Sequence, residues 1–211
     1  MDPAVKTVGG RRTVAPREQR SIGAWSGSLG VYDGALGVDA DELAPIVRRL
    51  HCDGGPTFAV GDVSVRRGRG PFAAVVARLL RLPAAGSTIP LALLIDRTGG
   101  CETWLRTFAS RRHLVTQQSV RPDGRIEERV GPARLVLEAS AVDGALVVRQ
   151  VGLAVRLGVV WVRVPARFAL QATARAAPAR DGGVAVCVRI TFPGGALVGS
   201  YAGIVALGTR P

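Results

Sequence analysis

The sequence predicts an α+β fold that is predominantly antiparallel β, and three observations support this prediction. From Ile89 onward, short apolar or alternating runs replace the helical period seen earlier in the chain. Turn sequences separate these runs at the spacing of β-hairpins, at 98–100, 122–124, 131–132, 143–144 and 181–183. Only two segments, both in the first half, carry an amphipathic helical stripe. We therefore expect a long β-meander that curls into a barrel or half-barrel cup, with two short helices packed on or in it.

The chain divides into a basic leader and one folded domain. Residues 1–28 are rich in Gly, Arg, Ser and Pro and show no period, so we expect a flexible N-terminal tail. Residues 29–211 should form a single β-cup domain, which is long enough to bury a core without disulfides. No apolar leader is visible, and no apolar run reaches the ~20 residues of a membrane span. We therefore expect a cytoplasmic protein.

Two helices are expected before most of the strands. The first should run over 42–51, with Asp41 as its N-cap and Pro45 in its first turn. The second should begin at Gly70-Pro71 and end before Pro83. The apolar residues of this second helix recur at helical spacing and predict one buried stripe, formed by Phe72, Val75, Val76, Leu79 and Leu80.

A strand over 57–67 separates the two helices. Its apolar positions change phase at Gly61 and Asp62, which predicts a β-bulge at that point. Ten further strands are expected near 89–96, 101–109, 112–120, 125–130, 133–141, 145–151, 153–163, 166–176, 184–192 and 196–206. A twisted sheet of so many strands should close or curl instead of remaining flat and open.

The formal net charge of +12 raises the question whether the protein binds nucleic acid or another anionic partner. Lys6 is the only lysine, and the arginines are spread along the whole chain. A nucleic-acid interface clusters its basic residues and interleaves them with stacking aromatics, and only 5% of these residues are aromatic. The pattern therefore argues against a nucleic-acid partner, although it would still attract anionic surfaces in general.

Metal and cofactor sites are not predicted. Cys52, Cys101 and Cys187 are far apart and form no Cys-x-x-Cys pair. His51 adjoins Cys52, but sequence neighbours rarely point at one metal, so both are assigned to structure. The dinucleotide, phosphate-loop, zinc-peptidase and serine-hydrolase signatures are also missing from the sequence.

The strand over 101–109 is the most informative segment for function. Its period of two places Glu102, Trp104, Arg106 and Phe108 on one face. A pocket wall mixes apolar and polar side chains in this way. The alternative is an outward face on which Glu102 and Arg106 form a weak diagonal ion pair. If Arg106 is partly desolvated it needs an acceptor, for which Glu102 or Glu128 is available.

Neighbouring strands supply further candidates. Glu128 could act as an acid or base, or could stay charged and structural beside an arginine. Tyr201 lies between Gly199 and Gly203, which leave room around its ring. It could supply a polar group to a pocket, or it could be a core tyrosine whose hydroxyl is hydrogen-bonded within the protein. The catalytic candidates are Glu102, Arg106, His113 and Glu128. The ligand-binding candidates are Trp104, Phe108, Gln117 and Tyr201.

Several short motifs follow the order found in one family. They are Gly68-Arg69-Gly70-Pro71-Phe72, Ala77-Arg78-Leu79-Leu80, Leu82-Pro83, Ala85-Gly86, Ile89-Pro90, Glu102, Trp104, Arg106, Phe108, Glu128-Arg129 with Gly131, Gly144-Ala145-Leu146 and Tyr201-x-Gly203. In these motifs the chain resembles the bacterial domain of unknown function 4166 over roughly residues 30–208. That family also occurs fused to short-chain-dehydrogenase-like modules, and the resemblance implies no assigned chemistry.

One segment departs from the pattern of this family. Residues 159–165 are more apolar than is usual there, which indicates a ligand-facing wall particular to this protein. The departure adds Trp161 to the ligand-binding candidates.

Three functions remain open from the sequence. The first is a cup that binds an apolar small molecule, either a lipid or a polyketide-like compound, with biosynthesis as the setting. The second is a cofactor-free cyclase, isomerase or lyase that acts on such a molecule by holding a reactive conformer. The third is binding of an anionic surface or nucleic acid through the arginines, which salt should weaken steeply.

Overall fold

The fold is described from a computed structural model over residues 30–80, 82–109 and 112–208. The predicted tail, 1–28, lies outside these residues. The helices are α1 (Val31–Leu36), a 3₁₀ helix (Gly37–Glu42), α2 (Pro45–His51) and α3 (Pro71–Leu79). The strands are β1 (Thr57–Arg67), β2 (Gly86–Thr98), β3 (Cys101–Phe108), β4 (Arg112–Val120), β5 (Ile126–Val130), β6 (Ala133–Val142), β7 (Ala145–Leu157), β8 (Val160–Arg163), β9 (Gln171–Pro178), β10 (Val184–Thr191) and β11 (Leu197–Gly208).

Ten strands form a closed antiparallel barrel, which confirms the predicted fold class. The strands are hydrogen-bonded in the order β6-β5-β4-β3-β2-β1-β11-β10-β9-β7, and β6 also pairs with β7. This last pairing closes the ring and leaves no open edge between the first and last strands. Strand β8 pairs with the end of β7 alone, as an extra strand outside the ring.

The strands expected at 145–151 and 153–163 are divided differently. Strand β7 continues through Gly152, and the chain reverses at Gly158, whose φ is +61°. Val136 of β6 pairs with Gly152 and Leu137 pairs with Gln150, so Val151 is an extra residue in β7, and the strand bends there without ending. The glycine that the sequence offered as a strand boundary therefore marks a bend.

The bulge predicted at Gly61 and Asp62 is also corrected. Strand β1 pairs with β11 in one unbroken register, and its irregularity lies two residues later, between Val63 and Val65 on the β2 side. Ala59, Val63 and Val65 are all buried, so a single face of β1 is directed inward. The apparent change of phase arose because the outer face also carries apolar side chains.

Helices α1 and α2 close one end of the barrel. The Ala44 amide donates to the Gly144 carbonyl at 2.9 Å, which joins the start of α2 to the β6–β7 turn. Arg97 of β2 donates to the carbonyls of Leu50 and Gly55 at 2.8 and 2.6 Å. Because β-hairpin turns alternate between the two ends, the opposite end holds the β5–β6 and β10–β11 turns and α3.

The sequence prediction placed the start of α2 too early and missed α1. Helix α2 begins at Pro45, and its N-cap residue is Ala44, which makes no side-chain capping bond. Asp41, the expected cap, instead forms an ion pair with Arg48 at 2.6 Å. Helix α1 has only six residues, which is too short to produce a helical repeat in the sequence.

Helix α3 presents a different face to the barrel from the one predicted. Its buried residues are Ala73 and Ala77, which lie towards β11. Phe72, Val75 and Leu79 of the predicted buried stripe are 80%, 57% and 64% exposed. Small alanine side chains let the helix approach the barrel wall closely, so the larger residues are turned outward.

The described residues hold no group of three or more metal-ligating side chains. Cys52 is buried, whereas Cys101 and Cys187 are exposed, and all three are free thiols. In the part of the chain that the structure describes, no helix has the length and apolar character needed to cross a bilayer.

Candidate functional site

A cavity of about 290 Å³ occupies the half of the barrel next to α3, and we call it the cup. Most of its wall is aliphatic, from side chains such as Leu135, Leu153 and Leu170. Its lining becomes exposed at Leu79 of α3 and at Pro132 in the β5–β6 turn, so the cup opens at that end. The volume lies near the lower end of the ~300–1,000 Å³ typical of small-molecule pockets.

Polar groups converge at the inner end of the cup. Directly paired strand positions share a face of the sheet, and Trp104 of β3 pairs with Thr116 of β4. In the next pair of strands, Gln118 of β4 lies opposite Glu128 of β5. The polar side chains that line the inner end, which we call the polar floor, are Tyr32, Arg106, Thr116, Gln118, Glu128 and Tyr201.

Arg106 belongs to the polar floor and has no carboxylate partner among the described residues. Its Nη1 donates to Thr116 Oγ1 at 3.1 Å, and its guanidinium lies 5.0 Å from the Trp104 ring centroid. Of the two alternatives that the sequence left open for Arg106, an ion pair with Glu102 or Glu128 is not formed among the described residues. Stacking on an aromatic ring suits the weakly hydrated guanidinium, and other N–H donors stay available for a ligand oxygen.

Glu102 has a structural position instead. Its side chain is 1% exposed, and its Oε1 accepts from Arg97 Nε at 3.1 Å and from the Val31 amide at 2.7 Å. Its Oε2 accepts from Trp104 Nε1 at 2.8 Å. One carboxylate thus joins α1, β2 and β3, and its lone pairs are engaged by the protein. Glu102 lines neither of the cavities described here.

Glu128 faces the cup and bonds to another polar-floor residue. Gln118 Nε2 donates to Glu128 Oε1 at 3.1 Å, while the buried Gln118 Oε1 has no partner in the described part of the chain. An unpaired buried oxygen is costly, so a donor group of a ligand would be stabilised there.

Two tyrosines complete the polar floor as neutral hydroxyls. Burial raises the pKa of Tyr32, and the negative charges of Glu128 and Glu102 raise it further. Burial also raises the pKa of Tyr201, an effect that the nearby Arg106 cation partly offsets. Both side chains therefore keep their proton at neutral pH and can donate a hydrogen bond.

A second cavity of about 70 Å³, the deep chamber, lies between the polar floor and the helices. Tyr32, Arg106 and Tyr201 line both cavities and so form the partition between them. His51 of α2 lines the deep chamber, and neither ring nitrogen has a hydrogen-bond partner among the described residues. Its ring packs against Tyr32 and Trp104, at centroid distances of 5.0 and 5.4 Å.

His51 is uncharged in this setting. Burial, followed by the positive charges of Arg97 and Arg106, lowers its pKa from 6.5 to about 3. A neutral imidazole offers one N–H donor and one lone pair, and no described residue uses either of them. The deep chamber therefore contains a base that is free at neutral pH.

The structure divides the nine site residues predicted from the sequence into those that line a cavity and those that do not. Arg106, Glu128 and Tyr201 line the cup, and Trp104 lines the deep chamber. Phe108 is buried in the core against Tyr201, with ring centroids 5.8 Å apart.

Three candidates lie away from the cavities. His113 and Gln117 are exposed on the outer face of β4. Trp161 pairs in register with Arg156, and its ring lies 4.3 Å from the Arg134 guanidinium carbon. Since Val155 faces the cup, its neighbour Arg156 and therefore Trp161 face outward.

Sequence reasoning missed Tyr32, His51, Thr116 and Gln118. The pairing of β4 with β3 offered a signal, because residues opposite Trp104 and Glu102 must share their face. That signal selects Thr116 and Gln118 over Gln117. Tyr32 carried no signal because α1 was not predicted, and His51 was considered only as a metal ligand.

Comparison with family models gives one match. The family described as "Domain of unknown function (DUF4166)" matches residues 43–204, which is most of the chain. Comparisons with curated proteins and with solved structures gave no match. The matched region contains the barrel strands and nearly all of the cup, including Arg106, Glu128 and Tyr201. The chain therefore belongs to the family of domain of unknown function 4166.

Proposed function

We propose that this protein binds an apolar small molecule, lipid or polyketide-like, in the cup, with an oxygen-bearing end on the polar floor. The observation that carries this proposal is an aliphatic cavity, open at one end, that ends on a guanidinium without a carboxylate partner. Ligand pockets combine mostly apolar walls with a few placed polar groups in this manner.

The polar floor favours a particular kind of ligand end. Arg106 can donate to a carbonyl, carboxylate or hydroxyl oxygen, and the two tyrosine hydroxyls can add further donors. Glu128 and the unpaired Oε1 of Gln118 can accept from a ligand hydroxyl. A molecule that carries both carbonyl and hydroxyl groups at one end would satisfy both sets, as oxygenated polyketides and hydroxylated lipids do.

A cavity-filling substitution tests the proposal. Leu153→Trp should occupy the cup, whereas Val151→Trp places the same side chain on the exposed outside of the same strand. We expect the fluorescent fatty acid cis-parinaric acid to bind the wild type and Val151→Trp with similar affinity. Binding by Leu153→Trp should be at least about tenfold weaker, measured by fluorescence titration. Equal affinity for all three proteins would contradict the proposal, provided that their melting curves are alike.

A catalytic role on the same molecule is a second proposal, and the free imidazole of His51 favours it. A neutral imidazole beside two protonated tyrosine hydroxyls supplies a lone pair and hydrogen-bond donors for proton transfer in a cyclisation or isomerisation. Product analysis by mass spectrometry after incubation with the purified native ligand tests it. His51→Gln should stop conversion while leaving the affinity for that ligand unchanged, and equal turnover by both proteins would contradict the assignment.

A further inference from the structure

The open end of the barrel carries an exposed apolar rim. We define the rim by residues of α3, of the β7–β8 hairpin and of the connection to β9. They are Phe72, Val75, Leu79, Leu157, Val159, Val160 and Phe168, each at least 57% exposed. Phe72 is 80% and Val159 is 88% exposed, values that are costly for such large side chains in water. Exposed apolar side chains grouped around the entrance of one cavity are typical of an interaction surface.

The rim is continuous with the cup. Val76 and Leu79 of α3 line the cup, and Phe72 and Val75 extend the same helical stripe away from it. Val155 and Leu170 line the cup from the other side and lead directly into the β7–β8 hairpin and Phe168. A partner that covers the rim would therefore also face the cup entrance.

The charges around the rim are of one sign. Exposed arginines accompany its apolar residues, namely Arg69, Arg78, Arg156, Arg163 and Arg167. The Arg167 guanidinium carbon lies 4.8 Å from the Phe168 ring centroid, which keeps an apolar and a basic group together. No aspartate or glutamate occurs between Asp62 and Asp96, or between Asp143 and Asp181, the two segments that contain the rim.

The closed end of the barrel carries both signs of charge. The turns and helices there hold acidic residues together with arginines, and Arg48–Asp41 and Arg121–Asp123 are ion pairs at 2.6 and 3.3 Å. Charges therefore partly cancel at the closed end, whereas the two segments that contain the rim carry arginines and no acidic residue. This difference favours contact of the open end with an anionic surface.

We propose that the rim docks on the surface of an anionic phospholipid bilayer, so that the cup opens onto the lipid. Aromatic and aliphatic side chains would enter the boundary between headgroups and acyl chains, and the arginines would contact the phosphates. An acidic protein partner would match the arginines but not the ring of aliphatic side chains beyond them. A second copy of this chain would bring two arginine-rich rims together, which is electrostatically unfavourable. This inference goes beyond the proposed function and does not depend on which ligand the cup holds.

Flotation of the full-length chain with vesicles tests the docking. The vesicles are phosphatidylcholine alone and an equimolar mixture of phosphatidylcholine and phosphatidylglycerol. We expect binding to the anionic mixture and much weaker binding to phosphatidylcholine alone. The double variant Phe72→Ser/Phe168→Ser should weaken binding to the mixture about tenfold or more. Val38→Ser, which removes a 76% exposed valine at the closed end, should leave binding unchanged.

A matched pair of arginine substitutions separates the rim from net charge. Arg78→Gln and Arg49→Gln each remove one positive charge, from α3 at the rim and from α2 at the closed end. We expect Arg78→Gln to weaken binding about fivefold and Arg49→Gln to have little effect. Equal effects of the two would overturn the proposal, because binding would then follow overall charge or the N-terminal segment.

Two further outcomes would also overturn it. One is the absence of binding to either vesicle. The other is a dimer, seen by light scattering, that the rim variants convert to a monomer while vesicle binding stays at the level of the Val38→Ser control. Titration with cis-parinaric acid is done without vesicles. A failure of the rim to bind vesicles therefore leaves the proposed function of the cup untouched, because that function is tested by the titration.

Discussion

At the scale of single residues, His51 links the buried site to pH. A neutral His51 in the folded protein means that the unfolded chain binds a proton at higher pH than the folded one. Its contribution to stability is therefore fully present above pH 6.5 and is lost as the pH falls toward about 3. The charged groups that oppose its protonation are Arg97 and Arg106, and the rings against it are Tyr32 and Trp104.

Replacing His51 should flatten this pH dependence. Between pH 6 and pH 4 the free energy of unfolding should fall in the wild type by up to about 1.4 kcal/mol per pH unit more than in His51→Gln. Denaturant melts at several pH values measure the difference. His113→Gln, which removes an exposed imidazole from the outer face of β4, is measured beside it as the matched variant. Parallel profiles for the wild type and His51→Gln would show that His51 is protonated when folded.

Two arginines on neighbouring strands have opposite roles. Arg97 is buried, holds the Glu102 carboxylate and donates to two backbone carbonyls near α2. Arg106 is half-buried, donates to the Thr116 hydroxyl, and forms no ion pair with a carboxylate of the described residues. The same substitution should therefore affect folding at one position and binding at the other.

Arg97→Met should lower the free energy of unfolding by about 3–5 kcal/mol, because Glu102 would stay buried without a counter-charge. Arg106→Met keeps an aliphatic stem and should cost about 1 kcal/mol or less, while it removes binding of cis-parinaric acid. Chemical denaturation and fluorescence titration of the two variants provide the comparison. A larger loss of stability in Arg106→Met than in Arg97→Met would reverse our assignment.

At the scale of the elements, glycines in adjacent strands control how closely β1 and β11 approach. A Cβ at Gly61 would lie 1.9 Å from the Ile204 carbonyl oxygen, and a Cβ at Gly203 would lie 2.0 Å from that of Asp62. These atoms belong to backbone, so a rotamer change cannot relieve the clash. The two strands can pair in their observed register only because both positions lack a side chain.

Gly61→Ala should therefore destabilise the barrel by at least about 1–3 kcal/mol, the usual cost of overpacking. Gly55→Ala is the control, because nothing lies within 4 Å of its Cβ position and its φ is not positive. Its effect should stay within about 0.5 kcal/mol. Thermal unfolding followed by circular dichroism compares the two, and similar melting temperatures would refute the close-approach argument.

At the scale of the whole molecule, closure of the barrel produces two ends that differ in structure, one filled by helices and one that opens into the cup. The β6–β7 pairing completes the barrel, and helices α1 and α2 fill one end with buried side chains. The other end is left with a cup, an apolar rim and arginines. A ligand that enters from a lipid surface would thus meet aliphatic walls first and the polar floor last, which matches the direction of both proposals.

Much of this architecture could be predicted from the sequence alone. Turn chemistry at positions such as 143–144 and 181–183 located the hairpins, because φ-permissive residues act locally. The alternation along β3 placed Trp104 and Arg106 on one face, and that face is the interior. The number of strands then implied closure, since so long a twisted sheet curls.

Other features were decided only by tertiary contacts. Both faces of β4 mix polar and apolar residues, so pairing with β3 was needed to turn Gln118 inward and Gln117 outward. The partner of Glu102 is Arg97, its direct neighbour across the β2–β3 hairpin, whereas the sequence prediction paired charges within β3 and with β5. Helix α3 has an apolar stripe that normally marks a core face, yet its alanines make the contact. Local rules fix where elements begin and which residues alternate. The choice between two chemically acceptable faces depends on neighbours that meet only when the barrel closes.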